Sequence, residues 1–277
     1  MLAARERTRG SYTTSSWRCP PLTREAQLDE KWAFVAKKEE RCDPQNPADR
    51  DRGDRWDHTV IDPEHALLLD LVPGKRREEN ARAAVEQLKA RTGGRTDLLV
   101  TSDEYSPYAT AIKMTFGVET AAPRKRGPGR PPNPRKVVPD SMCYATVRKT
   151  RRKGRVVEVA RTIVFGALAI LAALLERSAV SSTINTSFVE RHNGTDRGQN
   201  ARKGRKTYCF SKRVDVHDAV SFFVAFSYNF CWVVRTLRDR APTDVGPRTP
   251  AMSAGLTDHV WSLREWLTYP ARPARPG

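Results

Sequence analysis

Cysteine is scarce and scattered. The five cysteines (Cys19, Cys42, Cys143, Cys209 and Cys231) are odd in number and form no CxxC pair. That excludes a disulfide framework and a zinc ribbon, and it fits a reducing cytoplasm. Long apolar runs are missing as well. Ile163 to Leu175 and Ala219 to Val234 are the longest uncharged apolar stretches, and both fall short of the ~20 residues that span a bilayer. Both are expected to be buried helices, with no membrane partner. The N-terminus is polar and basic and lacks the apolar core of a signal peptide. Residues 1–26 show no clear period and no room for a helix-turn-helix or zinc finger, and they are expected to be a disordered or vestigial segment.

Acid is in short supply, and the deficit is local. Net charge is +17. Residues 121–161 hold 13 Lys/Arg against 2 Asp/Glu, and residues 191–213 hold 8 against 1, so these two segments carry +18 and everything else about −1. Two basic segments on a neutral body imply a binding surface, and nucleic acid is the most economical partner. An anionic membrane would want those cations on amphipathic helices, and residues 121–136 hold too many prolines for that.

The periodicity predicts a mixed α/β domain. Leu28 to Ala36 reads as a strand with Asp29 on the face opposite Trp32 and Phe34. Asp54 to Asp62 and Ala66 to Val72 read as the next two, joined at Pro63. Glu78 to Arg91 is the clearest helix, with acids in its first turn, bases in its last and Gly93-Gly94 behind it. Asp97 to Ser102 is a short strand delivering Asp103, which either aims a carboxylate from the sheet edge or caps the helix opening at Ser106-Pro107.

Pro123 to Pro139 is a basic linker or DNA-contacting arm carrying Arg124, Lys125, Arg126 and Arg130. Its Gly129-Arg130-Pro131 core resembles an AT-hook, with minor-groove insertion and plain phosphate contact both open. Met142 to Val164 reads as a hairpin turning at Gly154, its tip basic through Arg148, Lys149, Arg151, Arg152 and Lys153. Gly166 to Arg177 and Val214 to Arg238 read as helices, His217 within the second as a packed or capping residue. Asp258 to Leu267 is a short helix in a tail to which no function is given.

Ser187 to Lys212 concentrates the chemistry, reading SFVERHNGTDRGQNARKGRKTYCFSK. On a helix, Glu190 and Arg197 are seven apart and share a face, with His192 and Asn193 near them. They are either an ion pair on a solvated face or an acid that holds a metal beside a cation that holds phosphate. Gly194 and Gly198 weaken such a helix by up to ~1 kcal/mol each, so tertiary packing must impose its geometry. Arg202, Lys203, Arg205 and Lys206 would bind backbone phosphate without reading bases.

Glu-Arg-His-Asn, the basic run after it and CFSK together resemble the third acidic block of bacterial insertion-sequence transposases of the DDE type, in the IS-one group. LDEKWAFVAKK around Asp29 and LLVTSDEYSPYATAI around Asp103 resemble the other two blocks, and the resemblance spans roughly Gln27 to Arg238. It implies an RNase H-like mixed sheet flanked by helices, with the basic linker and β-hairpin of 121–161 inserted before the last catalytic helix. Residues 27–238 would be the catalytic domain and 239–277 a C-terminal tail. It also implies that the first and fourth strands lie side by side, bringing Asp29 and Asp103 together. Nothing but the block match favours Asp29 over Asp57, Asp62 or Asp70.

By the same resemblance Asp29, Asp103 and Glu190 are the catalytic acids and would ligate Mg²⁺, with Mn²⁺ as a substitute. Arg197 would position a phosphate, and His192 and Asn193 would orient Glu190, contact DNA or pack. The expected activity is cleavage of element ends and joining of the 3′-hydroxyl to target DNA by two-metal phosphoryl transfer. Expected partners are double-stranded DNA, further copies in a synaptic complex, and an upstream-encoded DNA-reading protein, at the nucleoid in the cytoplasm. The alternatives are an inactive remnant that only binds DNA, or an RNase H-like nuclease. No Ser, Tyr or Cys sits where a covalent protein–DNA intermediate would need it.

Overall fold

In the computed structural model, which describes residues 22–121, 133–238 and 246–269, the first strand β1 spans Glu25–Val35. It starts three residues ahead of the expected Leu28 because Glu25 and Gln27 are buried yet satisfied from far along the chain. Gln27 Oε1 accepts the backbone N–H groups of Phe188 and Val189, each at 3.1 Å. Glu25 accepts the Ser181 hydroxyl at 3.0 Å.

β2 (Gly53–Asp62) and β3 (Leu67–Gly74) continue antiparallel from β1. Helix α1 (Glu78–Arg91) has the expected bounds. β4 (Leu99–Ser102) then lies parallel to β1, with Leu28 opposite Ser102. Helix α2 (Ser106–Phe116) and a small ribbon, β5 (Val118–Thr120) with β6 (Arg135–Val137), precede β7 (Cys143–Arg152) and β8 (Arg155–Phe165). The sheet order is β3-β2-β1-β4-β7-β8. Three antiparallel strands followed by parallel β4 and β7 give the RNase H-like mixed sheet, flanked by helices.

The hairpin is not set apart from that sheet as an insertion. β7 pairs in parallel with β4 from Cys143 to Thr146, and only the far end projects. Its two-residue turn is Lys153-Gly154, with φ of 49° and 79°. Positive φ at both positions matches the right-handed twist of the flanking strands, and glycine takes it without strain. The linker residues Arg124, Lys125, Arg126 and Arg130, and the AT-hook-like Gly129-Arg130-Pro131, lie outside the described residues, as does Cys19. Among the described residues the remaining four cysteines are free.

Both faces are covered over the centre of the sheet, while β8 stays exposed along most of its length. On one, α1 and α2 bury Leu28, Val60, Leu67, Leu69, Val85, Leu88, Val100, Tyr108 and Ile112 together. On the other, α3 (Leu168–Glu176) packs Leu171 and Leu174 on Leu99, Ala145 and Val147. Next to it, α5 (Val214–Cys231) packs Ala225 on Leu68 and Leu71. The helix α4 (Ser187–Gln199) crosses the same face between them.

The helix expected to run to Arg238 stops at Cys231 and resumes only as the single turn α6 (Arg235–Arg238). Backbone bonds to the tail take over there. The Trp261 N–H reaches the Phe230 carbonyl and the Val234 N–H reaches the Arg248 carbonyl, each at 3.0 Å. Val214–Leu237 has the length and composition to cross a membrane, but His217, Ala219, Ser221, Ala225, Tyr228 and Asn229 of α5 are buried inside this domain.

After the short α7 (Pro250–Ser253), the tail helix is α8, Leu263–Thr268, which begins later than the expected Asp258. Its start is set by the Ser262 hydroxyl, which accepts the Glu265 N–H at 3.1 Å. This tail is part of the packing, with Trp266 edge-on to Phe223 at 5.0 Å and Trp261 against Phe230 at 4.8 Å.

Candidate active site

The parallel register of β1 and β4 builds the first half of the site. With Leu28 opposite Ser102, the residues that follow are Asp29 in β1 and Asp103 just past the end of β4. Burial, then the charge of Asp103, pushes the Asp29 carboxyl up to about 6, although Asn193 and the Glu30 N–H pull the other way. Burial also raises Asp103. Two carboxylates that disfavour each other's charge in a half-buried cleft are a site that a cation would relieve. Asp103 does not cap α2, whose N-cap is Tyr105 without a side-chain bond; its Oδ1 accepts the Tyr105 N–H at 3.1 Å in the turn before the helix.

Helix α4 supplies the other half. Asn193, buried on its inner face, donates from Nδ2 to Asp29 Oδ2 at 2.7 Å. Glu190, one turn earlier, acts electrostatically on both aspartates. Its side chain nevertheless turns to the hairpin, accepting the Thr186 hydroxyl at 2.6 Å and pairing with Lys149. His192 is buried edge-on against Tyr228 at 4.7 Å, and burial lowers it to about 4. Of the three roles open to these two residues, packing fits His192, while Asn193 orients Asp29 rather than Glu190.

Arg197 follows on the Glu190 face of α4, half-buried, lowered first by burial and then by Arg205, and within the field of Asp29. A Cβ added at Gly194 or Gly198 would meet nothing within 4 Å. The helix holds despite both glycines because its inner residues Val189, His192, Asn193 and Asp196 are buried.

Asp196 pairs with Lys31, which also reaches Asp57 at 3.2 Å, and Lys203 pairs with Asp57 from the other side. All four are buried. Burial works to raise the Asp57 carboxyl, but the charges of Lys203 and Lys31 outweigh it and hold it well below the usual range. Lys203 is therefore not a phosphate contact. It is 4% exposed and spent on Asp57, which also removes Asp57 as a rival to Asp29. Asp62 bonds Thr23 and caps the Pro63 turn through the Glu64 N–H, and Asp70 is buried elsewhere, raised to about 6 by desolvation.

The remaining basic residues stay outside. Arg151, Arg152 and Lys153 are exposed at the hairpin tip, as are Arg205 and Lys206 after α4, with Arg202 partly so. Arg148 is exposed with Glu104 at 3.8 Å, whereas Lys149 is drawn in to Glu190. Sequence reasoning missed Lys31, Asp196, Glu30 and Arg76. The one available signal was a lysine and two acids inside an otherwise apolar strand.

Carboxylate oxygens are the hard donors that Mg²⁺ and Mn²⁺ take, so the chemistry of the set fits a divalent cation. Among the described residues, no three His, Cys, Asp or Glu side chains converge closely enough to close around one as they stand. Asp29 and Asp103 form the ready pair, and Glu190 would have to exchange Lys149 for the ion.

Residues 170–228, which contain α4 and most of α5, match the family model described as IS1 transposase, of the DDE type. That match falls on the same stretch as the third acidic block. No curated protein matches the chain. Two solved structures share weak likeness. The Mos1 strand transfer complex is 18% identical over 42% of this chain and 38% of that one, at a TM-score of 0.23. The Mos1 transposase paired-end complex with left transposon end is 16% identical over 41% and 39%, at 0.22. Each match spans well under half of the other protein, and at such TM-scores no argument rests on either.

Proposed function

We propose that this chain, with its IS1-type segment at 170–228, is the catalytic core of a DNA transposase that cuts element ends and joins the 3′-hydroxyl to target DNA. The observation that carries the reading is the β1–β4 register, which sets Leu28 opposite Ser102 and so brings Asp29 and Asp103 to one end of the two strands, with Asn193 hooking the Glu190 helix onto Asp29.

Asp29, Asp103 and Glu190 would hold the divalent ions, Mg²⁺ or Mn²⁺, which when bound supply Lewis-acid activation of the attacking and leaving oxygens. The chain's own groups do the rest. Asn193 on Oδ2 and the Glu30 N–H on Oδ1 fix the Asp29 carboxylate in one orientation. Arg197, on the Glu190 face of α4, holds a phosphate of the reacting strand by its guanidinium fork. Arg205, Lys206 and the hairpin-tip cations Arg151, Arg152 and Lys153 neutralise flanking phosphates. Lys149 guards Glu190 until the site is loaded and then becomes a further phosphate contact.

The engagement of Glu190 by Lys149 favours one second reading, a DNA-binding remnant that never closes its metal site. A labelled duplex carrying the DNA that flanks the gene, incubated with the chain in Mg²⁺, Mn²⁺ or chelator, separates the readings. Metal-dependent joined products support the transposase, nicks without joining a nuclease, and binding without cleavage the remnant.

A further inference from the structure

Arg76 follows β3 and matches none of the acidic blocks. Its guanidinium is built into place from three sides. Nε and Nη2 both donate to Glu30 Oε2, at 3.2 and 2.9 Å, and the Glu30 side chain is only 1% exposed. The cationic carbon lies 4.2 Å from the Tyr105 ring centroid and 4.9 Å from that of Trp56. Cation–π contacts of this kind fix the plane of the fork. The side chain is still 39% exposed, and among the described residues Nη1 makes no hydrogen bond.

Its position matters as much as its rigidity. Along β1, Asp29 reaches Asn193 and Lys31 reaches Asp196, both on α4, whereas Glu30 reaches Arg76 on the opposite face. Asp103 follows the end of β4 and accepts the N–H of Tyr105, the residue whose ring Arg76 covers, and the charge of Arg76 acts on it. A purely structural partner for Glu30 would need only the Nε–Nη2 edge. Here the other edge is held open to solvent beside a candidate metal ligand.

We propose that Arg76 is a second phosphate-binding residue of the site, holding a non-bridging oxygen of a DNA strand from the sheet face opposite Arg197. A strand crossing the end of β4 then meets a guanidinium on each side of the acids. Tyr105 and Trp56 act through Arg76, as positioning residues. The proposal rests on the reading of this site as one that takes DNA.

The test is equilibrium binding of a fluorescein-labelled duplex to the full chain in chelator, across a salt series, for wild type, Arg76→Gln and Arg76→Lys. One lost phosphate contact lowers the slope of log affinity against log salt by about 0.9, so Arg76→Gln should bind more weakly with a slope shallower by that amount. Arg76→Lys should keep the slope and lose affinity, since an ammonium cannot fill the fork. A merely structural role would leave the slope of any folded variant unchanged. If Arg76→Gln does not fold, Arg76→Lys decides alone, and wild-type affinity there overturns the proposal. Wild-type slope in Arg76→Gln also overturns it while leaving the DNA reading intact. A wild-type chain with no salt-dependent duplex binding overturns both.

Discussion

Asn193 donates to Asp29 at 2.7 Å across 164 residues of chain, and this bond joins the Glu190 helix directly to a candidate acid of the central strand. Removing it should cost activity more than stability. Asn193→Ala is expected to lower strand joining by about 10–100-fold, the range seen when a group that orients a metal-ligating side chain is lost. The fold should lose only roughly 1–3 kcal/mol, the cost of leaving a buried partner short of a hydrogen bond. Parallel joining assays and urea melts check both halves.

The buried chain Asp196–Lys31–Asp57–Lys203 is a further tie between α4 and the sheet. Lys31→Met leaves Asp196 buried without a counter-charge and should destabilise the protein by about 3–5 kcal/mol. Lys31→Met with Asp196→Leu, which removes the stranded charge as well, should recover most of that loss. Denaturant midpoints of the two variants provide the comparison.

Exposed and buried cations should part company in DNA binding. Arg205→Gln and Lys206→Gln are each expected to flatten the salt dependence by about 0.9 in log–log slope. Lys203→Met should leave the slope unchanged while lowering the melting temperature, because Lys203 faces Asp57 and not solvent.

His217 is buried, with Nδ1 3.0 Å from the Ser211 hydroxyl, and burial lowers it to about 4. Unfolded, it would titrate near 6.5. The unfolded chain therefore takes up the proton first, so this share of stability is complete above about pH 6.5 and drains away as pH falls toward 4. Raised carboxyls such as Asp29 and Asp70, each near 6, act in the opposite sense, so a difference measurement is needed. His217→Gln should gain on wild type by about 1.4 kcal/mol per pH unit below pH 6.5, as read from urea melts at several pH values.

Local signals were legible and distant partners were not. The helix Glu78–Arg91 and the Gly154 turn are written in their own residues, as end charges, glycines and period. The pairing of β1 with β4 followed only from the resemblance of three blocks, since nothing in Leu28 or Ser102 announces the other. Lys203 read as one cation in a basic run, and its burial depends on Asp57, 146 residues away. Glu25 and Gln27 hid the start of β1 for the same reason, since their partners lie past residue 177. The turn of Glu190 toward Lys149 is shared between Thr186 at the start of its own helix and the hairpin, and only the first partner is near it in sequence.

The most direct measurement compares strand joining by wild type and Asp103→Ala on a labelled duplex with native flanking ends, in Mg²⁺, with circular dichroism to show that both are folded. Asp103 follows the end of β4, and its charge acts on Asp29, so the account predicts metal-dependent joining by wild type and none above background by the variant. Joining retained in folded Asp103→Ala would contradict the assignment of the paired aspartates as the catalytic centre.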